Sequence, residues 1–443
     1  MSAPLDGTGA SYWGQIPNLD GSTPATIDNK AMPVWEGALV WPYRVITYPL
    51  RLLSTGVGAS IEFFNESPVI SQVGNLFGPR RGPFGVLMQF QAGGLSGLGG
   101  GFTAEHGSFF GASNRFRLAA STTDNGTHRV RLGLRFPSVL RGEVDFGAGY
   151  RRRPNARYFG LGPETAEGLE SYYEQELLWT GISYRKGIGA NLFLHGDALF
   201  SSIGTDSPDL DDDEDDLPIE TRFTGALPPG FGMSSSGITI GASLTHLTVT
   251  ETGRPTRGGS RRLRATYFAG TGADNSTFWT YRMDVQQFLQ TWYPYHVLAL
   301  RAHASWIDQV GTTPVPFQRL MTNDDPDLMR GFEDFRWRDK GMVVLSAEYR
   351  WPLWVMNHPD ALGLDIYLHS DVGQVFSDLD QINRDNLTFS WGAGIRMLSA
   401  GGFVFRIEHS RSNEDAVWRL RGDQIFQFAR GGFYHGRDPV PAR

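Results

Sequence analysis

The side chains able to do chemistry in this sequence are few and scattered. His195, His303 and His369 each fall on the polar set of an alternating stretch. An imidazole so placed can ligate a metal or relay a proton. Nothing in their spacing ties the three together, so membership in hydrogen-bonded networks is the expected role. The run Asp209-Leu210-Asp211-Asp212-Asp213-Glu214-Asp215-Asp216 offers oxygen ligands for calcium. It lacks the glycine and spacing of an EF-hand and reads as a solvated acidic loop. Arg129, Arg131 and Arg135 share one face, where they could draw in anions or form a ladder with Glu143 and Asp145 on the next strand. The glycines from Gly93 to Gly101 imitate a phosphate-binding loop without its lysine. No His-Glu-x-x-His motif or nucleophile elbow is present, and the lack of cysteine removes disulfides, thiolate sites and cysteine catalysis. The reading is of a protein that is not an enzyme and uses no cofactor or metal.

Composition narrows the class. The chain has 443 residues with 55 glycines, 13% aromatics and only 20% charged residues, a mixture suited to strands, tight turns and an aromatic surface. A net charge of −7 and a pI near 5.8 give no electrostatic reason to expect nucleic acid as a partner. The mean hydropathy of −0.28 is too polar for a bundle of membrane helices. The longest uncharged stretch, Pro83 to Ala104, alternates like strands and holds Gly99-Gly100-Gly101. A membrane-spanning strand needs only about 9–11 residues with one apolar face, which hydropathy windows miss. Residues 1–30 show no basic start followed by an apolar core, so a leader is expected to have been removed.

What must position the polar side chains is a set of strands. Leu387, Phe389, Trp391, Ala393, Ile395 and Met397 interleave with Thr388, Ser390, Gly392, Gly394 and Arg396. Val343, Leu345, Ala347, Tyr349 and Trp351 interleave with Ser346, Glu348 and Arg350, and Leu298, Leu300, Ala302, Ala304 and Trp306 with Arg301, His303 and Ser305. The polar faces carry Arg, Glu, Asp and His again and again, as a wet lumen with paired charges would. Read this way, strands fall at 84–92, 98–106, 113–121, 127–136, 142–151, 172–185, 189–200, 236–249, 261–270, 277–288, 296–307, 341–353, 363–375, 387–398, 402–411 and 417–428. That makes about sixteen, an even number as in bacterial barrels. Long links lie near 152–171, 201–235, 308–340 and 376–386, whereas Lys186-Gly187-Ile188-Gly189 and Ser399-Ala400-Gly401-Gly402 read as tight turns. Long outer loops and short periplasmic turns are the asymmetry of a transmembrane barrel, and the parity puts both termini in the periplasm.

The expected fold is therefore all-β: a 16-stranded antiparallel transmembrane β-barrel at 84–428, preceded by a flexible lead at 1–31 and an amphipathic helical segment at 32–83, and followed by a tail at 429–443. In the helical segment Trp35, Trp41, Tyr43 and Tyr48 supply rings suited to a membrane interface, with Arg44 and Arg51 on the polar side. Packing on the barrel rim or into its lumen is the other reading of that segment.

One motif goes further. The link before the twelfth strand holds Met329-Arg330-Gly331-Phe332, the twelfth strand reads Leu345-Ser346-Ala347-Glu348-Tyr349-Arg350-Trp351-Pro352-Leu353, and the thirteenth contains Ser370-Asp371-Val372-Gly373. By alternation Glu348 shares a face with Ser346 and Arg350, and Asp371 with Asp365 and His369, so both carboxylates point inward. The planar fork of a guanidinium can bind two carboxylates. Gly331 would let the backbone turn sharply beside the wall, and Phe332 would wedge against the interior.

Here the sequence resembles the BamA and TamA type outer-membrane assembly-factor superfamily, also called the bacterial surface antigen family. The resemblance implies a sixteen-stranded barrel whose sixth outer loop folds back into the lumen. The arginine of an Arg-Gly-Phe tip, here Arg330, Gly331 and Phe332, would meet Glu348 in Glu-Tyr-Arg-Trp-Pro and Asp371 in the Asp-Val-Gly that ends at Gly373. The resemblance spans residues 84–428, with its specific motifs confined to 329–375. No mixed strand and helix pattern of a POTRA domain precedes the first strand, so a member without such domains is expected. Phe426 and Phe428 close the last strand before a further tail, where family barrels usually end at an aromatic.

The function implied is insertion or translocation of outer-membrane proteins. Outer-membrane lipid including lipopolysaccharide, client outer-membrane proteins, or a periplasmic or surface protein are the expected partners. A passive or gated outer-membrane pore, or a scaffolding barrel that docks a partner complex, is the alternative.

Overall fold

Alternating segments with one apolar and one polar face fold as strands, because only a pleated ribbon sends successive side chains to opposite sides. The structure, a computed structural model, describes residues 84–91, 98–109, 113–208, 216–249, 255–272, 275–291, 295–323, 328–355, 363–398, 404–421 and 433. Trp35, Trp41, Tyr43 and Tyr48, the acidic residues 209–215, the turn at 399–402, and Phe426 and Phe428 lie outside the described residues.

The strands are β1 (Phe84–Gln91), β2 (Gly99–His106), β3 (Arg115–Thr123), β4 (His128–Val139), β5 (Gly142–Tyr158), β6 (Ser171–Gly189), β7 (Leu192–Asp206), β8 (Ser235–Leu247) and β9 (Gly258–Thr271). They continue as β10 (Thr277–Gln290), β11 (Val297–Val310), β12 (Met321–Thr322), β13 (Arg338–Asp339), β14 (Gly341–Val355), β15 (Gly363–Phe376), β16 (Thr388–Leu398), β17 (Val404–Ser412) and β18 (Ala416–Arg421). Sixteen of them form one antiparallel sheet in chain order, from β1 through β11 and then β14 through β18. β12 and β13 make a separate two-stranded hairpin inside the link 311–340, hereafter loop 6. Among the described residues β1 pairs with β2 and β18 with β17. No helix among the described residues is long and apolar enough to cross a membrane, a statement that does not bear on strands.

The central hairpins are longer than the sequence reading. Pairing of β5 with β6 continues to Tyr158 and Ser171, where the Ser171 hydroxyl donates to the Tyr158 carbonyl at 2.8 Å. The link read at 152–171 is thus shortened from its N-terminal end. The turn read at Lys186–Gly189 is strand. Its glycines are absorbed by a register irregularity between Gly187 and Gly189, and the chain reverses at Ala190 and Asn191, the latter at φ 62°. The β4–β5 hairpin turns through Leu140 and Arg141 at φ 52° and 61°, the two left-handed residues that a two-residue turn matching strand twist requires.

The two faces of the sheet invert the usual arrangement of a water-soluble protein. Leu178, Ile240, Leu263, Leu345, Leu368, Trp391 and Trp418 are exposed on the outer face. Asp145, Asp197, Glu348, Asp365, Asp371, Arg406 and Glu408 are buried on the inner one. The sheet curls so that strands far apart in its order reach the same loop. Tyr173 of β6 packs on Phe317 of loop 6 with ring centroids 5.1 Å apart, while Asp371 of β15 holds Arg330 of the same loop.

Candidate functional site

Loop 6 lies inside the curl, and its buried arginines define the site. Arg330 follows Met329, whose left-handed φ of 57° reverses the chain and aims the next side chain at the wall. The Arg330 side chain is fully buried. Its backbone N–H and Nε both donate to Asp371 Oδ2, at 3.0 and 2.9 Å, and Nη2 donates to Asp371 Oδ1 at 2.9 Å. Nη1 donates to Glu348 Oε2 at 2.8 Å. One guanidinium therefore bridges carboxylates on two neighbouring strands, the arrangement its flat fork of donors fits best. Burial works against charge on Arg330, but Asp371 and then Glu348 overcome it and hold its proton well above the ordinary range.

The set extends along the wall. Arg350 Nε donates to the second Glu348 oxygen at 2.6 Å, and Arg396 donates to Asp365 through Nη2 at 2.8 Å and Nε at 3.1 Å. His369 shares its face with Asp371, and its Nε2 lies 3.0 Å from the Ser410 hydroxyl. Gly331 has a different reason to be glycine than the sharp turn expected of it. A Cβ there would press on the Ser390 side chain and lie 3.0 Å from the Arg411 backbone, so the residue allows close approach to β16 and β17 while Met329 makes the turn. Phe332 is buried and meets Trp337 of its own loop edge-on at 5.4 Å. Gly373 allows close pairing of β14 and β15, since a Cβ there would sit 2.6 Å from the Val343 carbonyl.

Several residues that hold the loop carry no motif. Arg419 on β18 donates to the carbonyls of Arg330 and Phe332, the latter at 2.6 Å, and so ties the last described strand to the loop tip. Arg336 donates to both Glu414 oxygens at 2.8 and 2.7 Å and to Thr165. Arg319 donates to the hydroxyls of Ser235 and Ser201 at 2.5 and 3.1 Å and lies over the Phe268 ring. Arg338 donates to the Phe317 carbonyl at 2.9 Å. For Arg319, Arg336 and Arg338 the sequence signal is the density of arginine and aromatics in loop 6, unreadable without a period to assign faces.

The remaining candidates are dispersed. His195 lies 3.5 Å from Asp197, and His303 3.4 Å from Asp284. No group of three metal-ligating side chains occurs among the described residues. Arg135 donates to Asp145 through Nε and Nη2, both at 2.9 Å, with Glu143 at 3.4 Å, so this part of the arginine face is a ladder. Arg131 stands over the Trp179 ring at 5.7 Å.

Comparison with known proteins adds the family. Residues 234–431 match the model of the Omp85 superfamily domain, a range that contains Arg330, Glu348, Asp371 and Arg419. BamA from Haemophilus ducreyi, solved lacking POTRA domains 1–3, matches with a TM-score of 0.56 at 12% identity, over 77% of this chain and 69% of that one. CdiB from Escherichia coli matches with a TM-score of 0.48 at 14% identity, over 78% and 61% of the two chains. CdiB from Acinetobacter baumannii gives 0.46 at 13% identity, over 76% and 64%. No curated protein matches the sequence. At such identity the likeness to BamA is one of fold. Over somewhat less than half its length the chain is thus similar to the Omp85 superfamily domain, and its fold is similar to that of BamA.

Proposed function

We propose that this chain is an outer-membrane β-barrel that inserts or translocates polypeptide, with loop 6 latched in its interior through Arg330, and that its role is not enzymatic. The observation that carries the reading is the buried Arg330–Glu348–Asp371 set, joined by Arg419 of the last described strand. A loop fixed this way couples the interior to the last described strand of the sheet, and a strand edge is where an incoming strand would pair. The exposed apolar outer face supports contact with outer-membrane lipid, lipopolysaccharide included. The long-loop parity supports an arrangement with both termini in the periplasm. Client outer-membrane proteins are the partners proposed. For a wide passive pore the interior is poorly suited, because loop 6 packs a buried apolar cluster across it, including Phe317, Leu320, Met329, Phe332 and Trp337.

The test is the folding rate of a client barrel into liposomes with and without this protein. Acceleration that falls in the Arg330→Ala variant is the expected result. Equal rates with and without the wild-type protein would remove the insertion reading.

A further inference from the structure

Cross-strand register sets two rows of inward side chains on the wall of β7–β11, away from the loop 6 contacts. One row runs His195, Ser243, Arg264, Arg282 and Ser305, one residue from each strand from β7 to β11. The row beside it holds Thr245, Arg262, Asp284 and His303, on β8 to β11. Exposed Leu244, Leu263 and Met283 alternate with these residues and mark the outer face. Arg264 lies four positions along β9 from Phe268, the ring under Arg319 of loop 6, a separation of roughly 13 Å.

The carboxylates of this wall are already committed. Asp197 accepts Nη1 and Nη2 of Arg264 at 2.7 and 2.9 Å. That bridge crosses β8 at Gly241, where a Cβ would lie 2.8 Å from Arg264 Nη2. Asp284 accepts Arg301 Nε on one oxygen and Gln286 Nε2 on the other, both at 2.8 Å. Arg262 stands directly across from Asp284 yet makes no ion pair, and its Nε is buried without a hydrogen-bond partner. The inward positions of β7–β11 carry Arg262, Arg264, Arg282 and Arg301 against Asp197 and Asp284, an excess of two positive charges. A guanidinium keeps its proton at any pH the protein meets, so the excess is permanent. A concave wall of one charge sign focuses its field on the space before it.

Two hydroxyls add donors to this patch. Ser243 and Ser305 flank the arginine pair of the first row, are each 4% exposed, and hold a side-chain oxygen with no hydrogen-bond partner. A buried hydroxyl left unbonded is costly and calls for an explanation. Hydroxyl and guanidinium donors together suit an oxyanion, which accepts through several lone pairs. From Ser243 to Ser305 the row spans three strand spacings, roughly 14 Å. That is wider than one phosphate or carboxylate. It matches a series of carboxylates, since acidic side chains at every second residue of an extended chain recur about every 7 Å.

We propose that the inner wall of β8–β11 is a binding site for an acidic segment of polypeptide, with Arg262 as its principal cation and Ser243 and Ser305 at its flanks. Polypeptide as the ligand rests on the insertion reading; the surplus of donors does not. The full chain in detergent micelles is titrated with a dye-labelled oligoglutamate peptide and followed by anisotropy, with the heat-modifiable gel band as the check on folding. Wild type should bind oligoglutamate and ignore oligoglutamine. Arg262→Gln should raise the Kd at least about tenfold, the loss of one charge-assisted anchor. Arg261→Gln removes the same charge one residue away, on the outer face of β9, and should leave the Kd within about twofold. Failure of wild type to bind oligoglutamate, or an equal Kd for Arg262→Gln and Arg261→Gln, would overturn the proposal. If Arg262→Gln does not fold, Ser243→Ala and Ser305→Ala carry the test, and a Kd unchanged in both overturns it. Displacement of the peptide by inorganic phosphate at equal charge would overturn the acidic segment in favour of any free oxyanion. Client folding in liposomes is a separate readout. Oligoglutamate binding without client acceleration would remove the insertion reading and keep the site, and the converse would do the reverse.

Discussion

Loop 6 is held on two sides by different physics. Toward β14–β18 its arginines meet carboxylates: Arg330 with Asp371 and Glu348, and Arg336 with Glu414. Toward β5–β9 the contacts are rings and neutral oxygens. Phe317 lies among Tyr158 and Tyr173, Arg319 finds the Ser201 and Ser235 hydroxyls, and the Arg157–Glu333 ion pair is at a partly exposed rim. Buried charge is directional and tolerates loss of neither partner, because the survivor is left without water. Apolar packing responds to volume and accepts a neighbour of similar size. The first side should therefore fix the register of the loop, and the second should fill space.

The largest effect should follow from breaking the charged side. Arg330→Ala leaves Asp371 and Glu348 buried without their shared donor and should cost about 3–5 kcal/mol. Arg330→Lys should recover little of this, since one ammonium cannot reproduce the three directed bonds of the guanidinium. The urea midpoint of the heat-modifiable band measures both. A lysine variant close to wild type would mean that net charge rather than the fork holds the loop.

Next comes Gly331→Ala. Its methyl would meet the Ser390 side chain and the Arg411 backbone, and a sheet backbone paired on both sides cannot retreat. The expected loss is about 1–3 kcal/mol by overpacking. The aromatic side supplies the contrast. Phe317→Leu keeps an apolar group of similar size and should cost under about 1.5 kcal/mol in the same assay. A larger loss there than for Gly331→Ala would dissolve the distinction between the two sides.

Legibility in the sequence follows the same division. Wherever one face is wet and the other apolar, period-two alternation exposes the strand, and it puts Glu348 and Asp371 on the inner face from the sequence alone. It fails at Arg151-Arg152-Arg153-Pro154, where three like charges and a proline hide the continuation of β5 to Tyr158. It is silent on Arg419, which reads as one more inward arginine although it reaches a carbonyl 89 residues away. Loop 6 has no period at all, so Arg319, Arg336 and Arg338 could not be assigned a direction. Phe433 was invisible for another reason. It packs where Gly147 of β5 and Gly181 of β6 leave side chains out, and glycine in a strand equally marks a bulge or a bend.

The smallest expected effect concerns the junction between the two sides, where β13 leads into β14. Asp339 accepts the Ser377 hydroxyl at 2.8 and 3.0 Å and the Lys340 N–H at 2.7 Å. Burial raises its pKa above the ordinary 3.8 despite those donors. A carboxyl whose folded value is raised favours the protonated native state. Its contribution is therefore complete below 3.8 and is lost as pH rises through the raised value. Acidification from neutrality toward that window should thus strengthen this contact, against the general weakening of the carboxylate-clamped side as its carboxylates take up protons. Asp339→Asn, which keeps the shape without the titration, should remove this one opposing slope from the pH dependence of the urea midpoint. If the variant and wild-type curves run parallel from pH 7 down through the titration, Asp339 is not the group that favours the acid side. The pH response of loop 6 would then belong to the other carboxylates in its ion pairs.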